Sequence, residues 1–346
     1  MKTMTYGAAA LLTLALPVEA AELTISGSGG ALAEVMKQMF NDPFQAETGI
    51  TVHHLATTDR ASAIRAMVLA GNTVWDATEL NAMEYATASV NGWLEPLDWD
   101  RIDPEGMLPE NARLPDAAMA ATYSNILAIR SDKLPEGKEM TSWADFWDVE
   151  TFPGPRALQN QPFDNLEFAL LADGVAKEDL YTVLATEEGV DRAFDKLDEI
   201  KPEVVNWWTS GAQAVQMLFD GEVYFTSAFN DRIVKAQLAG EPIRAVWNGA
   251  AAKPSYMAIP KGAANVEAAE DYMRFLLTDP ARAAAFATAV PYPFFTKDMY
   301  AHLDEAAGRQ LPTHPDNLAV QFVSDGLFWG EHYDEINERW QDWVAE

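Results

Sequence analysis

Aromatic and polar side chains stand at the ends of two predicted strands, where they could enclose a small ligand. The β-rich run 204–208 ends in Trp207 and Trp208 and is followed by Ser210, and a second run reaches Phe229 after a helix-forming segment. Strand–helix–strand alternation is typical of doubly wound α/β sheets, in which ligands lie outside the carboxyl ends of the strands. These four residues are therefore candidate ligand contacts, although aromatic side chains at such positions also serve as core.

A glycine-rich turn follows the first predicted strand. It reads Ser26-Gly27-Ser28-Gly29-Gly30, and its spacing matches neither a nucleophile elbow nor a dinucleotide-binding fingerprint. Free backbone N–H groups at the start of a helix suit a carboxylate, a phosphate or a hydroxyl group. Ser28, Gly29 and Gly30 are therefore candidate ligand contacts, and a simple tight turn would have the same sequence.

Residue types that support catalysis or metal binding are sparse. The chain has no cysteine, which excludes thiol catalysis and cysteine zinc sites. His53 and His54 are neighbours on a predicted strand, so their side chains point to opposite faces, and the other histidines lack ligand spacing. No pair of carboxylates stands out as an acid–base couple. We therefore expect no metal and no other cofactor, and we expect a protein that is not an enzyme.

The charge and the length of the chain set further limits. With 24 Lys and Arg against 53 Asp and Glu, the net charge is −29, which repels nucleic acid. Such a field attracts cations from a distance, although high charge also serves solubility alone. A chain of 346 residues, 49% of them hydrophobic, suffices for two domains with large cores.

The first twenty residues have the pattern of a signal peptide. Lys2 precedes an apolar stretch, and the segment ends in small residues at Ala20. A positive charge, an apolar segment and a small-residue cleavage site in this order predict export with cleavage after Ala20. We therefore expect a mature protein that begins at Ala21 and is soluble in the periplasm.

Helical and β segments alternate along the rest of the chain. Three βα units between 23 and 90 predict one parallel-sheet lobe, and a β-like segment at 122–129 crosses into a second lobe. Two further strands, at 243–247 and 255–259, are predicted near a return crossing. The predicted fold class is α/β, with two doubly wound lobes joined by crossing hinge segments.

Further candidate contacts lie at the third strand end and at the crossings. Glu79 and Asn81 end the third predicted strand, and they face the cleft if the sheet has the expected order. Tyr123 lies at the first crossing and Tyr292 at the last. Each tyrosine ring could touch a ligand or pack within the hinge.

Several motifs, in one order, resemble the polyamine-type periplasmic solute-binding proteins of bacterial ABC importers. They are SWADFWD (142–148), WWTSGAQ (207–213), DGEVYFTSAFNDRI (220–233) and LPTHPDNL (311–318). The resemblance covers essentially the mature chain. It implies a periplasmic binding protein-like fold of type II, closure of two lobes over one ligand, and a monomer that delivers this ligand to a membrane permease.

On such a fold, the crossings divide the chain into discontinuous lobes. We expect lobe one at 21–122 plus about 256–298, lobe two at about 127–250 plus about 302–346, and hinge segments at about 123–126, 251–255 and 299–301.

The ligand contacts implied by the resemblance are only partly present. The family has aromatic and acidic residues in the turn after the first strand, a Trp ending the second aromatic strand and an Asp before the AIP strand. Here the turn is SGSGG, Phe229 replaces the Trp, and Ser255, next to Tyr256, replaces the Asp, whereas one acid is kept as Asp164. A single carboxylate suits one ammonium group.

The favoured function is an extracytoplasmic solute-binding protein that captures a small cationic amine, of the putrescine or spermidine type. Asp164 would then hold the ammonium group. The alternative ligand is a small zwitterion or anion, such as an amino acid or an aminophosphonate, with its carboxylate on the glycine-rich turn. A secreted carbohydrate-active enzyme is a further alternative, and a sensor could receive the ligand instead of a permease.

Overall fold

The computed structural model describes residues 22–346, so the predicted signal peptide at 1–20 lies outside the described residues. Nine strands in this range form one mixed sheet in the order β2-β1-β3-β8-β4-β7-β5-β6, and β9 pairs with β8 outside this path. The strands are β1 (Glu22–Gly27), β2 (Thr51–Ala56), β3 (Ala77–Leu80), β4 (Ala117–Arg130), β5 (Arg156–Gln159), β6 (Val204–Trp208), β7 (Phe225–Phe229), β8 (Ile243–Ala258) and β9 (Phe322–Val323).

Sixteen α-helices within residues 22–346 accompany these strands, and none of them is long and apolar enough to cross a membrane. They are α1 (Gly30–Met36), α2 (Asp42–Thr48), α3 (Arg60–Ala70), α4 (Ala82–Val90), α5 (Trp99–Ile102), α6 (Trp143–Trp147), α7 (Asn165–Ala172), α8 (Leu180–Leu184), α9 (Glu187–Ile200), α10 (Gly211–Asp220), α11 (Asn230–Leu238), α12 (Val266–Leu277), α13 (Pro280–Ala289), α14 (Glu305–Gly308), α15 (Pro315–Val320) and α16 (Gly326–Ala345).

The sheet has two parallel groups of strands, one on each side of an antiparallel centre. In the first group β1 pairs in parallel with β2 and β3, and in the second β5 pairs in parallel with β6 and β7. Parallel neighbours need crossover connections, and the alternating sequence supplies helices for them. The predicted fold class, two α/β lobes joined by crossing strands, is therefore confirmed.

The long strands β4 and β8 form the antiparallel centre and run from one lobe to the other. Their ladder extends from Ala117 opposite Ala258 to Arg130 opposite Ile243, with two register shifts on the way. The two separate strands predicted at 243–247 and 255–259 are thus one strand. The ladder pairs Val246 and Ala251 with β4 on either side of the Gly-containing stretch 247–250, where the register shifts, and it pairs Pro254 with Thr122.

The first-lobe core packs β1 against α12 and α13. Leu23, Phe40 and Tyr272 are buried there, and so are Met299 and Leu311. A hinge was expected at 299–301, but these last two side chains belong to the first core. The domain limits stay a prediction, and this packing favours a third crossing beyond Leu311.

Helix α16 packs into the second-lobe core and also reaches the first lobe. Its Trp329 and Trp340 are fully buried in the core that contains Trp143. At its start, Gly326 lies so close to α4 that an added Cβ atom would sit 2.3 Å from the Ala82 carbonyl oxygen. The first turn of α16 therefore needs glycine for contact between the lobes.

Candidate ligand-binding site

Two cavities lie on either side of Tyr123, where β4 crosses between the lobes. The first cavity, of about 140 Å³, lies in lobe one and is lined by Ser28, His54, Glu79, Ser255 and Tyr292 together with a mainly apolar interior. The second cavity, of about 300 Å³, is lined by Asn81, Gln161, Phe163, Lys253, Ser324 and Tyr333. Because Tyr123 lines both cavities, one small ligand could contact both sets of residues.

The polar part of the first cavity carries a negative charge. The Ser28 N–H donates to Oε2 of Glu79 at 3.1 Å, and Nε2 of His54 lies 2.8 Å from the Ser28 carbonyl oxygen. The turn fits closely around this group, because a Cβ added at Gly27 would lie 3.0 Å from the His54 ring, which would have to shift. The Ser28 N–H of the glycine-rich turn is thus already hydrogen-bonded to the Glu79 carboxylate. This arrangement favours a cation at the first cavity and disfavours a ligand carboxylate on the turn.

The interior of the first cavity is apolar. Leu32, Met36, Leu276 and Phe286 line it, and one buried hydroxyl, that of Ser26, has no hydrogen-bond partner within residues 22–346. An apolar space of this size next to a carboxylate suits the methylene groups of an aliphatic amine.

A positive charge lies at the second cavity. Lys253 stands opposite Tyr123 in the β4–β8 ladder, so the two side chains lie on the same face of the crossing. Its Nζ lies 2.7 Å from Oδ2 of Asp164 and 3.6 Å from the centroid of the Phe163 ring. Burial lowers the pKa of Lys253, and the adjacent Asp164 carboxylate opposes that shift by favouring the charged form.

Asp164 therefore already has a cation. Nδ2 of Asn125 donates to the same Oδ2 at 2.8 Å, and the Asp164 side chain is buried. Its backbone has a positive φ of 71°, which non-glycine residues seldom adopt. The ammonium partner that the sequence predicted for Asp164 as a ligand contact is supplied by the protein.

A second buried acid, Glu167, lies near this ion pair. Its Oε1 accepts hydrogen bonds from Nε1 of Trp329 at 2.7 Å and from the Tyr181 hydroxyl at 3.0 Å. Burial, and after it the neighbouring Asp164 carboxylate, raises the pKa of Glu167 to about 7. Glu167 therefore takes up a proton near neutral pH.

The aromatic side chains form a continuous series. Tyr123 contacts Phe229 at 5.7 Å and Tyr292 at 5.5 Å between ring centroids, and Phe229 contacts Trp208 at 5.7 Å. Burial raises the pKa of the Tyr123 phenol, and the Asp164 and Glu79 carboxylates raise it further, so the phenol stays a neutral donor. The aromatic series gives the site rigid walls of low polarity.

The structure brings together seven of the sequence-predicted contacts at the cavities. Five of them line the first cavity: Ser28, Glu79, Tyr123, Ser255 and Tyr292. Asn81 lines the second cavity, which Tyr123 also lines. Asp164 is the seventh, and it reaches the second cavity through Lys253. Asn81 also caps α4, where its side chain accepts the Glu84 N–H. Ser255 exchanges hydrogen bonds with the Ala121 backbone at 3.2–3.3 Å.

The remaining candidates lie elsewhere. Trp207 packs on Trp340 and Trp343, because adjacent strand residues face opposite sides and its side is covered by α16. Tyr256 stacks on Tyr85 at 4.3 Å. The others line neither cavity: Gly29, Gly30 and Ser210 are exposed, Trp208 is fully buried, and Phe229 packs over Gly211.

Several lining residues with polar or aromatic side chains were not predicted from the sequence. Among them are His54, Gln161, Phe163 and Lys253. Lys253 did leave a signal, since it is a lone cation within the apolar stretch AAAKPSYMAIP. Within residues 22–346 no group of three or more His, Asp or Glu residues could hold a metal ion.

The sequence matches the model of one protein family over most of its length. Residues 40–313 match the family described as bacterial extracellular solute-binding protein. The chain belongs to this family. Solute-binding proteins of ABC transporters bind a small molecule and deliver it to a permease, and membership of an extracellular family implies an exported protein.

Individual relatives of this solute-binding protein support the assignment along the whole chain. The γ-aminobutyrate (GABA)-binding protein of Pseudomonas aeruginosa is 37% identical over 334 residues, which cover 96% of this chain and 93% of the relative. An ABC transporter substrate-binding protein from Bradyrhizobium japonicum is 33% identical, with a TM-score of 0.81 over 93% of this chain and 99% of that one. The solved structure of a GABA receptor is 31% identical, with a TM-score of 0.81 over 94% and 98%.

The resemblance drawn from the sequence is thus confirmed for the family and not for the polyamine type. Two of these relatives carry GABA in their names, and GABA is a small zwitterion. The comparisons therefore favour the alternative ligand class over a polyamine.

Proposed function

We propose that this solute-binding protein captures a small zwitterionic ω-amino acid of the GABA class and delivers it to the permease of an ABC importer. The ligand would lie along Tyr123, with its ammonium group at Glu79 and its carboxylate at Lys253. Its methylene groups would contact the apolar wall of the first cavity.

One observation carries this proposal: side chains of opposite charge line two cavities that share Tyr123. Glu79 supplies the negative charge in the first cavity, and Lys253 supplies the positive charge in the second. A diamine would bring its second ammonium group to Lys253, and like charges repel in a desolvated site. A ligand with one charge of each sign matches both ends.

The relatives add independent support. The GABA-binding protein of Pseudomonas aeruginosa matches nearly the whole chain, and so does the GABA receptor structure. These names describe those proteins, and the charges at the two cavities suit the same class of ligand here.

The experiment compares ligands with a four-carbon skeleton that differ in their end groups: GABA, putrescine, succinate, butylamine and butyrate. Each is titrated into the purified protein by calorimetry. GABA should bind at least tenfold more tightly than any ligand that lacks one of its two charges, since a missing charge leaves a protein charge unpaired. Putrescine binding as tightly as GABA would refute the zwitterion proposal.

We also propose that residues 1–20 are removed after Ala20 during export to the periplasm. The order of charge, apolar stretch and small residues supports this cleavage. N-terminal sequencing of protein released by osmotic shock should read from Ala21, and an intact Met1 there would contradict it.

A further inference from the structure

We propose that Lys253 occupies an ammonium-binding site of its own protein and thereby converts that site into a carboxylate-binding site. Lys253 would then decide which ligand charge the second cavity accepts. This inference rests on the proposed function, because it explains how the cleft accepts an amino acid and rejects a diamine.

The surroundings of the Lys253 Nζ atom have the features of an ammonium site. A carboxylate oxygen of Asp164 lies at 2.7 Å, and the face of the Phe163 ring lies at 3.6 Å. Carboxylates and aromatic faces together are what proteins use to hold ammonium groups. Nδ2 of Asn125 donates to the carboxylate at 2.8 Å and fixes it. A ligand ammonium group would find the same partners if the lysine were absent.

The carboxylate of this site also has unused capacity. Oδ1 of Asp164 is buried and has no hydrogen-bond partner within residues 22–346. The acid therefore could accept more donors than Lys253 supplies to it. Asp164 lies at the N-cap of α7, and its side chain contacts Asn125 of β4 and Lys253 of β8, the two crossing strands.

The lysine itself can serve a ligand carboxylate. An ammonium group has three N–H donors. Within residues 22–346 Lys253 forms a salt bridge with Asp164, and a ligand carboxylate could accept from another of its N–H groups. Lys253 is also the one lysine in that range that is buried, and it lines the second cavity. Burying a charge is costly, so a buried lysine at a cavity wall indicates a role for that charge.

The test vacates the site. Lys253→Ala removes the ammonium group and leaves space for another beside Asp164. GABA affinity should fall about thirtyfold or more, as for truncation of one partner of a buried charge pair. Putrescine and butylamine affinity should rise at least tenfold over the wild type, because a ligand ammonium group now fills the vacated site. Lys138→Ala, which removes an exposed lysine, controls for net charge and should change neither affinity.

Two further variants keep the inference open to refutation. In Lys253→Ala/Asp164→Asn the amine gain should disappear, and amine binding that persists there would place the ammonium group elsewhere. If Lys253→Ala does not fold, Lys253→Met fills the space without a charge, and GABA affinity that stays within threefold of the wild type would refute the role of Lys253. If the Lys253–Asp164 ion pair only stabilised the fold, Lys253→Ala would lower the melting temperature without raising the affinity for amines.

The outcomes separate the two proposals. A wild-type protein that binds GABA and a Lys253→Ala variant that gains no amine affinity leave the function in place and overturn this inference. A wild-type protein that ignores GABA overturns the proposed function, whereas an amine gain in the variant would still assign the ammonium site.

Discussion

Glu79 is the residue on which ammonium recognition depends in the proposed site. It lines the first cavity and accepts the Ser28 N–H through one oxygen. Glu79→Gln keeps the shape and an acceptor for that N–H but removes the charge. The binding free energy of GABA should weaken by roughly 1.5–3 kcal/mol, because hydrogen bonds to a charged group contribute about that much. Calorimetry on the variant is the measurement.

A matched control for that variant is the exposed residue Glu34 in α1. Glu34→Gln removes the same charge from the protein without touching either cavity. An equal loss of affinity in both variants would show a general effect of charge and would contradict a direct role for Glu79.

Glu167 should make stability depend on pH. Its pKa is raised from 4.5 to about 7 in the folded protein, so the folded state binds a proton that the unfolded state releases at lower pH. The stability linked to this proton is fully present below about pH 4.5 and is lost as the pH rises to about 7, by on the order of 3 kcal/mol.

The variant Glu167→Gln isolates this contribution. Glutamine keeps an oxygen for the Trp329 and Tyr181 donors and does not ionise. Urea denaturation should show the variant to be less stable than the wild type at pH 5. At pH 8, where the wild type has lost its proton-linked stability, the free energy of unfolding of the variant should match or exceed that of the wild type. A parallel pH dependence in wild type and variant would contradict the pKa shift, and exposed Glu188→Gln serves as the control.

The residue scale also shows what the sequence could predict. Glu79, Asn81, Tyr123 and Tyr292 follow from the rule that binding residues gather at strand ends and crossings. The pairing of Asp164 with Lys253 joins residues far apart in the chain, and periodicity contains no information about such contacts. The sequence analysis therefore assigned a ligand ammonium group to Asp164 and did not predict its pairing with Lys253.

Among the elements, α16 makes a contact that depends on one missing side chain. Gly326→Ala would place a Cβ atom 2.3 Å from the Ala82 carbonyl oxygen of α4. Either the helix shifts or the lobes separate, and such overpacking costs about 1–3 kcal/mol. The melting temperature should fall accordingly.

Gly330 in the same helix provides the matched control. An added Cβ there meets only Thr87 Oγ1, at 3.7 Å, which is ordinary contact. Gly330→Ala should therefore be neutral or stabilise by up to about 1 kcal/mol through helix propensity. A Gly326→Ala protein as stable as Gly330→Ala would contradict the tight contact between α16 and α4.

Sequence patterns predicted best those helices and strands whose formation depends on residues close in the sequence. The three βα units predicted between 23 and 90 are present, because each strand and helix has its own periodicity, and α2 is an additional helix after the first of them. The strand β8 was divided in two, since Asn248, Gly249 and Pro254 resemble a break. Only pairing with β4 makes it continuous, and long-range pairing is not visible in local sequence.

In the whole molecule, two lobes meet at the β4–β8 ladder, and side chains of opposite charge line the two cavities beside it. The crossing places Tyr123 opposite Lys253, while β3 brings Glu79 to the neighbouring cavity. A ligand held at both ends would connect residues on both sides of Tyr123, so binding would favour the closed arrangement of the lobes. The central claim is that a zwitterion lies between Glu79 and Lys253.

A crystal structure of the protein with GABA tests this claim most directly. The ligand nitrogen should lie within about 2.7–3.2 Å of a Glu79 carboxylate oxygen, with a ligand carboxylate oxygen equally close to Nζ of Lys253. The Lys253–Asp164 contact should persist. A ligand nitrogen beside Asp164 with Lys253 displaced, or a ligand outside both cavities, would contradict the account.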